Sequence, residues 1–206
     1  MLIPGLGIVF NIATFPGIVA NRVVQGVFEE YYGVPVHEFA VPEGVDVSDL
    51  EGKTALGDVA RPLGATEEAG ADERVERVVD YDALDSFGAM FGLVLGPVVV
   101  TTILALALYG ISVGLEFGGI VTNEGSPWLW LAGFYPGFAL AAHALPNDDP
   151  IQALWRQSKR SDSLLQIVGY PLVALSKLVS LLRIFWIDAI YAVVLYALLA
   201  MAVGVL

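Results

Sequence analysis

The chain offers two histidines, His37 and His143, and no cysteine, so thiolate metal sites, disulfides and cysteine nucleophiles are excluded. What remains for chemistry is imidazole, carboxylate, hydroxyl and guanidinium. His37-Glu38 begins like a helical zinc motif, His-Glu-x-x-His, in which two imidazoles one turn apart hold the ion and the glutamate acts as base. The second imidazole would fall at position 41, which is Val41, and the segment follows a Gly33-Val34-Pro35 turn. His37 therefore reads as a strand residue. His143 is followed closely by Asn147, Asp148 and Asp149, a cluster of imidazole, amide and carboxylates that forms a candidate remnant site. A zinc site would need His37, His143 and Asp149 to converge from distant parts of the chain. Asn21 and Gln25 stand at i, i+4 with Arg22 beside them. Neutral amides are poor zinc ligands and no bases, and a guanidinium there opposes a cation. No serine has a nucleophile-elbow context. No glycine-rich phosphate loop is present, because Gly5-Leu6-Gly7 lacks a third glycine and a preceding strand.

The elements that would position these groups belong to a bilayer protein. The chain is 56% hydrophobic, with a mean hydropathy of +0.70. Residues 1–21, 86–115, 125–147 and 189–206 carry no charge. The first stretch has no basic n-region and no small-x-small cleavage site, and reads as a retained span. The pattern predicts spans over 4–31, 87–115 (kinked at Pro97), 127–145 (with Trp128 and Trp130 at an interface) and 184–206. Residues 164–182, broken by Pro171 and Lys177, suit an interfacial or re-entrant helix. Residues 34–41 suit a short strand, 42–73 have loop composition, and 72–83 suit a short charged helix. The expected fold is thus all-α: a polytopic membrane protein with about four transmembrane helices, one interfacial or re-entrant helix and a short strand-containing acidic insertion. Its parts are 1–33, a first membrane helix; 34–86, an acidic polar segment; and 87–206, a membrane helical region.

Residues 29–86 hold 16 of the 22 acidic and 4 of the 10 basic residues, so that segment carries the whole formal charge of −12. This speaks against nucleic acid as a partner and suits an acidic, halophilic surface. The short basic stretch 146–163 places itself in the cytoplasm. The acidic segment then lies on the same side, and the N-terminus outside.

Residues 15–36 carry a further pattern. Phe15-Pro16-Gly17 opens the helix, and Gly33-Val34-Pro35-Val36 follows it. This resembles the first helix of the site-2-protease-like membrane metallopeptidases, where Phe-Pro-Gly leads into His-Glu-x-x-His and a Gly-Val-x-Val turn follows. Here the five motif positions read Asn21-Arg22-Val23-Val24-Gln25. His143-Ala144-Leu145-Pro146 is similar to the His-Ala-x-Pro that ends the third span in haloarchaeal-type relatives, ahead of a ligand Asp whose register falls near Pro150. Ile151 to Trp155, and Leu182 to Asp188, continue the likeness. It covers roughly 12–36 and 87–206, and leaves out the acidic part of 37–86. The resemblance implies zinc as the family's cofactor, with the ligands absent here and no metal expected. It further implies a catalytically inactive relative, a pseudoprotease, that binds or scaffolds a membrane client. An active hydrolase using His143, Asp148 and Asp149 is the alternative, as is a small transport component with Arg22 as its intramembrane charge. In the family's architecture Arg22 would take the place of the zinc ion and pair with Asp148 or Asp149, with Glu29 as a local rival.

Overall fold

The computed structural model describes residues 4–47, 50, 52–117, 127–146, 148–160, 171, 174 and 187–204. Its elements are α1 (Pro4–Ala13), α2 (Phe15–Tyr31), β1 (Val36–Pro42), α3 (Gly52–Val59), β2 (Arg61–Leu63), β3 (Glu73–Val79), α4 (Phe87–Phe117), α5 (Pro127–Ala141), α6 (Asp148–Arg160) and α7 (Ile187–Val203). The chain is mostly helical with one small sheet, and divides into two compact units: Met1–Phe28 with Ser86–Leu206, and Glu29–Asp85.

Among the described residues of the first unit, α4 is the single unbroken helix long and apolar enough to cross a membrane, and α1 with α2 passes only as a bent pair. Its Phe87–Leu115 stretch has a mean hydropathy of 2.4 in its most apolar 18-residue window, only 28% of which is buried. A soluble core helix would hide that surface; here Val99, Ile103, Leu104 and Ile111 point outward. Its inner face is small and polar enough to let neighbours close in. A Cβ on Gly133 of α5 would meet Ser112 Oγ at 2.6 Å and the Leu108 carbonyl at 2.7 Å, and one on Gly137 would meet the Tyr109 ring at 2.7 Å. Two glycines four apart thus set the α4–α5 contact, as in small-xxx-small membrane crossings. Around it, Trp130 stacks on Phe134 at 4.3 Å, and Tyr196 of α7 meets Phe134 edge-on at 5.0 Å. The buried hydroxyls all find backbone or side-chain acceptors: Tyr109 donates to the Ala192 carbonyl at 2.9 Å, Ser112 to that of Trp130 at 2.7 Å, and Thr101 to that of Pro97 at 2.7 Å.

The first expected span is not one helix. α1 and α2 meet at Thr14 with a bend of 72°. Pro16 explains it: the residue has no N–H for the Ile12 carbonyl, and its ring collides with that turn. Gly17 N turns to the Thr14 carbonyl at 2.9 Å, and the Ala13 carbonyl takes a side-chain donor in its place. Thr14 donates to the Phe10 carbonyl at 2.7 Å and Tyr135 to that of Ala13 at 2.6 Å. α5 and α7 are apolar but shorter than a full crossing. The expected helix over 164–182 lies outside the described residues, apart from Pro171 and Ala174.

The second unit is a three-stranded antiparallel sheet of order β2–β1–β3. Residues 42–73 are more than loop, since they hold α3 and β2. The charged helix expected over 72–83 is also corrected: 73–79 is strand. Val75, Val78 and Val79 have helical spacing, but β1 supplies seven facing residues, from Val36 opposite Val79 to Pro42 opposite Glu73. In that pairing Val78 joins the core formed by Phe39, Val41 and Leu56, which α3 covers. A helix over the same residues would leave β1 without a partner on that side. The described part of the first unit is helical as expected, and the second, expected to hold a short strand, holds a three-stranded sheet with α3 over it.

Candidate functional site

The groups singled out in the sequence meet, in part, at the α1–α2 break. Gly17, one turn past it, lies so close to α5 that a Cβ would overlap the Ala139 carbonyl and reach the Leu140 nitrogen at 3.0 Å. The end of α5 is thereby pressed against the break. Just beyond it, the backbone winds on through Ala142 N to Phe138 O at 2.9 Å and His143 N to Leu140 O at 3.2 Å. This delivers the His143 ring to Thr14, which is 2% exposed, with Nε2 at 2.7 Å from Oγ1. The Thr14 hydroxyl has one proton and gives it to the Phe10 carbonyl, so the assignment that satisfies all three groups makes Nε2–H the donor to Oγ1. The Phe10 ring lies 6.1 Å from the imidazole.

Asn21 lies seven residues past Thr14 and four past Gly17, on the same stripe of α2. It is half-buried, and its Oδ1 is buried without a hydrogen-bond partner among the described residues. Gln25, one turn further, is half-buried. Arg22 falls off this stripe and is exposed, with no ion pair among the described residues. Its expected partners are placed elsewhere. Glu29 binds Arg77 at 2.5 Å in the second unit, and Asp149 is exposed near the start of α6. Asn147 and the Asp148 side chain lie outside the described residues. The structure therefore brings His143 to Thr14 at the break, while Asn21 and Gln25 continue the Gly17 stripe one and two turns further along α2 and Arg22 lies off it. Thr14 and Tyr135, which close the break, were not singled out from sequence; a threonine two residues before Pro16 was the available signal.

These donors do not fit zinc. Asn21 and Gln25 are amides, and the imidazole at the break spends Nε2 on a hydroxyl. Among the described residues no three His, Asp or Glu side chains gather as a metal site needs.

His37 belongs to the second unit. It is half-buried in β1, and its Nε2 accepts from Lys53 Nζ of α3 at 3.2 Å; Lys53 also pairs with Asp80 at 2.5 Å. An ammonium only donates, so His37 is the neutral Nδ1–H tautomer and this nitrogen is engaged. Beside it a shallow cavity of about 410 Å³ is lined by Val36, His37, Glu38, Pro62, Leu63 and Arg77.

No family model, curated protein or solved structure matches this chain. Function has to be argued from the junction itself.

Proposed function

We propose that this chain is a multi-pass membrane protein of site-2-protease-like descent that has given up metal chemistry and holds a membrane client without cutting it. The observation that carries the reading is the junction of α1, α2 and α5. The imidazole at the junction is tied to Thr14 at 2.7 Å, and the residue types that a metallopeptidase would use further along α2 are replaced by amides at 21 and 25. The outward apolar side chains of α4, with Leu129 and Leu131 of α5 and Val193, Val194 and Leu198 of α7, support a lipid surround in which the shorter helices also cross or enter the bilayer. Arg22 lies outside the buried stripe, which gives the transport alternative no support.

The test of lost metal chemistry is elemental analysis of the purified protein together with a membrane-substrate cleavage assay. We expect no stoichiometric zinc and no cleavage. One equivalent of zinc that disappears in His143→Ala would overturn the reading in favour of an active hydrolase. Client binding is read by placing a photo-crosslinking residue at the exposed Val23 in native membranes. A discrete protein adduct is expected, and adducts with lipid alone would refute a client on this face. Topology is read by cysteine labelling, since the chain has none. Cysteines at the exposed positions Thr66 and Gln152 should label from the cytoplasmic side, and one at Asn123 from the other.

A further inference from the structure

The second unit exposes one long sheet edge. β3 has β1 as its strand neighbour on one side only, among the described residues. The phase of that pairing can be read from its two ends. Glu43 N donates to Asp72 O and Asp80 N to Pro35 O, both at 2.9 Å. Residues 72, 74, 76, 78 and 80 therefore turn their backbone groups to β1. Residues 73, 75, 77 and 79 turn theirs outward. Of these outward donors, Glu73 N is used within its own turn, by Gly70 O at 3.1 Å. Val75, at the middle of the edge, is 51% exposed.

Open edges recruit strands unless something prevents it. Here the side chains select the recruit. In an antiparallel pair of two copies related by a two-fold axis at Val75, the outward-turned residues face one another, as hydrogen bonding requires. In that register Glu73 faces Arg77, Arg74 faces Glu76, and Val75 faces its own copy. The available groups make four backbone hydrogen bonds across the axis, Val75 N to Val75 O and Arg77 N to Glu73 O, each twice. Sliding by the next permitted step sets Glu76 against Glu76 or Arg74 against Arg74, and like charges directly opposite are destabilising. A slip by a single residue presents inward-turned groups and makes no ladder.

From this we infer that β3 is a self-recognition edge: two copies of this chain pair antiparallel through residues 73–77 and join their sheets into one of six strands. The inference is independent of the proposed function, since it uses only the Glu29–Asp85 unit. Each copy brings the net −12 of its acidic segment, so long-range repulsion opposes the pairing at low salt, and salt at about 1 M, with a screening length of about 3 Å, removes it.

The test is the mass of the full-length protein in detergent micelles at that salt, by light scattering after size exclusion. Wild type should be a dimer. Val75→Pro deletes the central outward donor while leaving the ladder to β1 untouched, as edge strands tolerate, so it should be monomeric with unchanged circular dichroism. Arg74→Glu should dissociate the dimer, and Arg74→Glu with Glu76→Arg should restore it. Val75→Cys should form a disulfide-linked dimer on oxidation, because facing Cα atoms at about 5.5 Å fall within disulfide reach. Thr66→Cys, exposed in the same unit, should not. A monomeric wild type, a dimer that survives Val75→Pro, or a Val75→Cys protein that will not cross-link would each overturn the inference.

Discussion

Gly17→Ala separates a packing requirement from a helix preference within one helix. At position 17 a methyl group would overlap the Ala139 carbonyl carbon and oxygen and press on the Leu140 nitrogen at 3.0 Å. These are backbone atoms of α5 and cannot turn aside as a side-chain tip can, so α2 or α5 must move. Overpacking of this kind costs about 1–3 kcal/mol, and a backbone obstacle puts it near the top of that range. Alanine is favoured over glycine inside a helix by about 1 kcal/mol, which offsets part of the cost. The net expectation is a loss of about 2 kcal/mol. Gly26 lies on the same helix, and a methyl group there would have nothing within 4 Å, so Gly26→Ala should gain up to about 1 kcal/mol. The two variants should thus differ by about 3 kcal/mol. Unfolding in mixed detergent micelles, followed by circular dichroism, measures both. If Gly17→Ala is as stable as Gly26→Ala, α2 does not touch α5 as described and the account of the junction fails.

Thr14→Val keeps the shape of the break and removes the hydroxyl between Phe10 and His143; leaving the imidazole nitrogen unpaired should cost about 1–3 kcal/mol, and the His143 ring nitrogens should shift in a nitrogen NMR spectrum while those of His37 stay put. Glu29→Gln removes the charge from a pair in which Glu29 is 10% and Arg77 33% exposed, between a surface and a buried bridge, and should lower thermal stability by about 1–2 kcal/mol, with Glu67→Gln at the exposed Arg61 pair close to neutral as the control.

Much of the framework is legible because its signals are strong and local. The strand expected at 34–41 is β1 at Val36–Pro42, and the span expected at 87–115 is α4, with Pro97 inside it. The losses come where a long-range partner decides. Glu73-Arg74-Val75-Glu76-Arg77-Val78-Val79 has charges and valines at helical spacing, and only the presence of β1 makes it a strand. α3 is a weak helix by composition, held by Leu56 packing on Phe39 and Val41. The 4–31 segment departs differently: its two helices are apolar enough together for a crossing but are bent, and Pro16, though visible, sits where a proline can also begin a helix. At the 72° bend the Ala13 carbonyl is met by Tyr135, which lies 122 residues away from it in the chain. Of the residues singled out, His143 lies at the break against Thr14, Asn21 and Gln25 are half-buried further along α2, and Arg22 is exposed because it lies off the Gly17 stripe.

The Phe15-Pro16-Gly17 opening has a mechanical reason for its last two residues that owes nothing to catalysis. Proline breaks the helix, and glycine lets α2 lie on the α5 backbone. Positions 21 and 25 then follow Gly17 on the same stripe at i+4 and i+8. A stripe that carries two side chains one turn apart is therefore present whether or not those side chains bind metal. Asn21→His, Arg22→Glu and Gln25→His together put two imidazoles one turn apart on that stripe and remove the opposing cation. Asn21 already carries a buried oxygen without a partner among the described residues, so the substitution enters a place where a polar group is under-satisfied. If frame and chemistry are separable, the triple variant should purify with about one zinc per chain where the wild type has none, because imidazoles at i, i+4 are sufficient to seed a zinc site when a third donor such as His143 is near. His143→Ala in that background should release the zinc. A folded triple variant, with wild-type circular dichroism, that takes up no zinc would mean that the stripe and His143 do not converge, and would count against the proposed descent from a metallopeptidase.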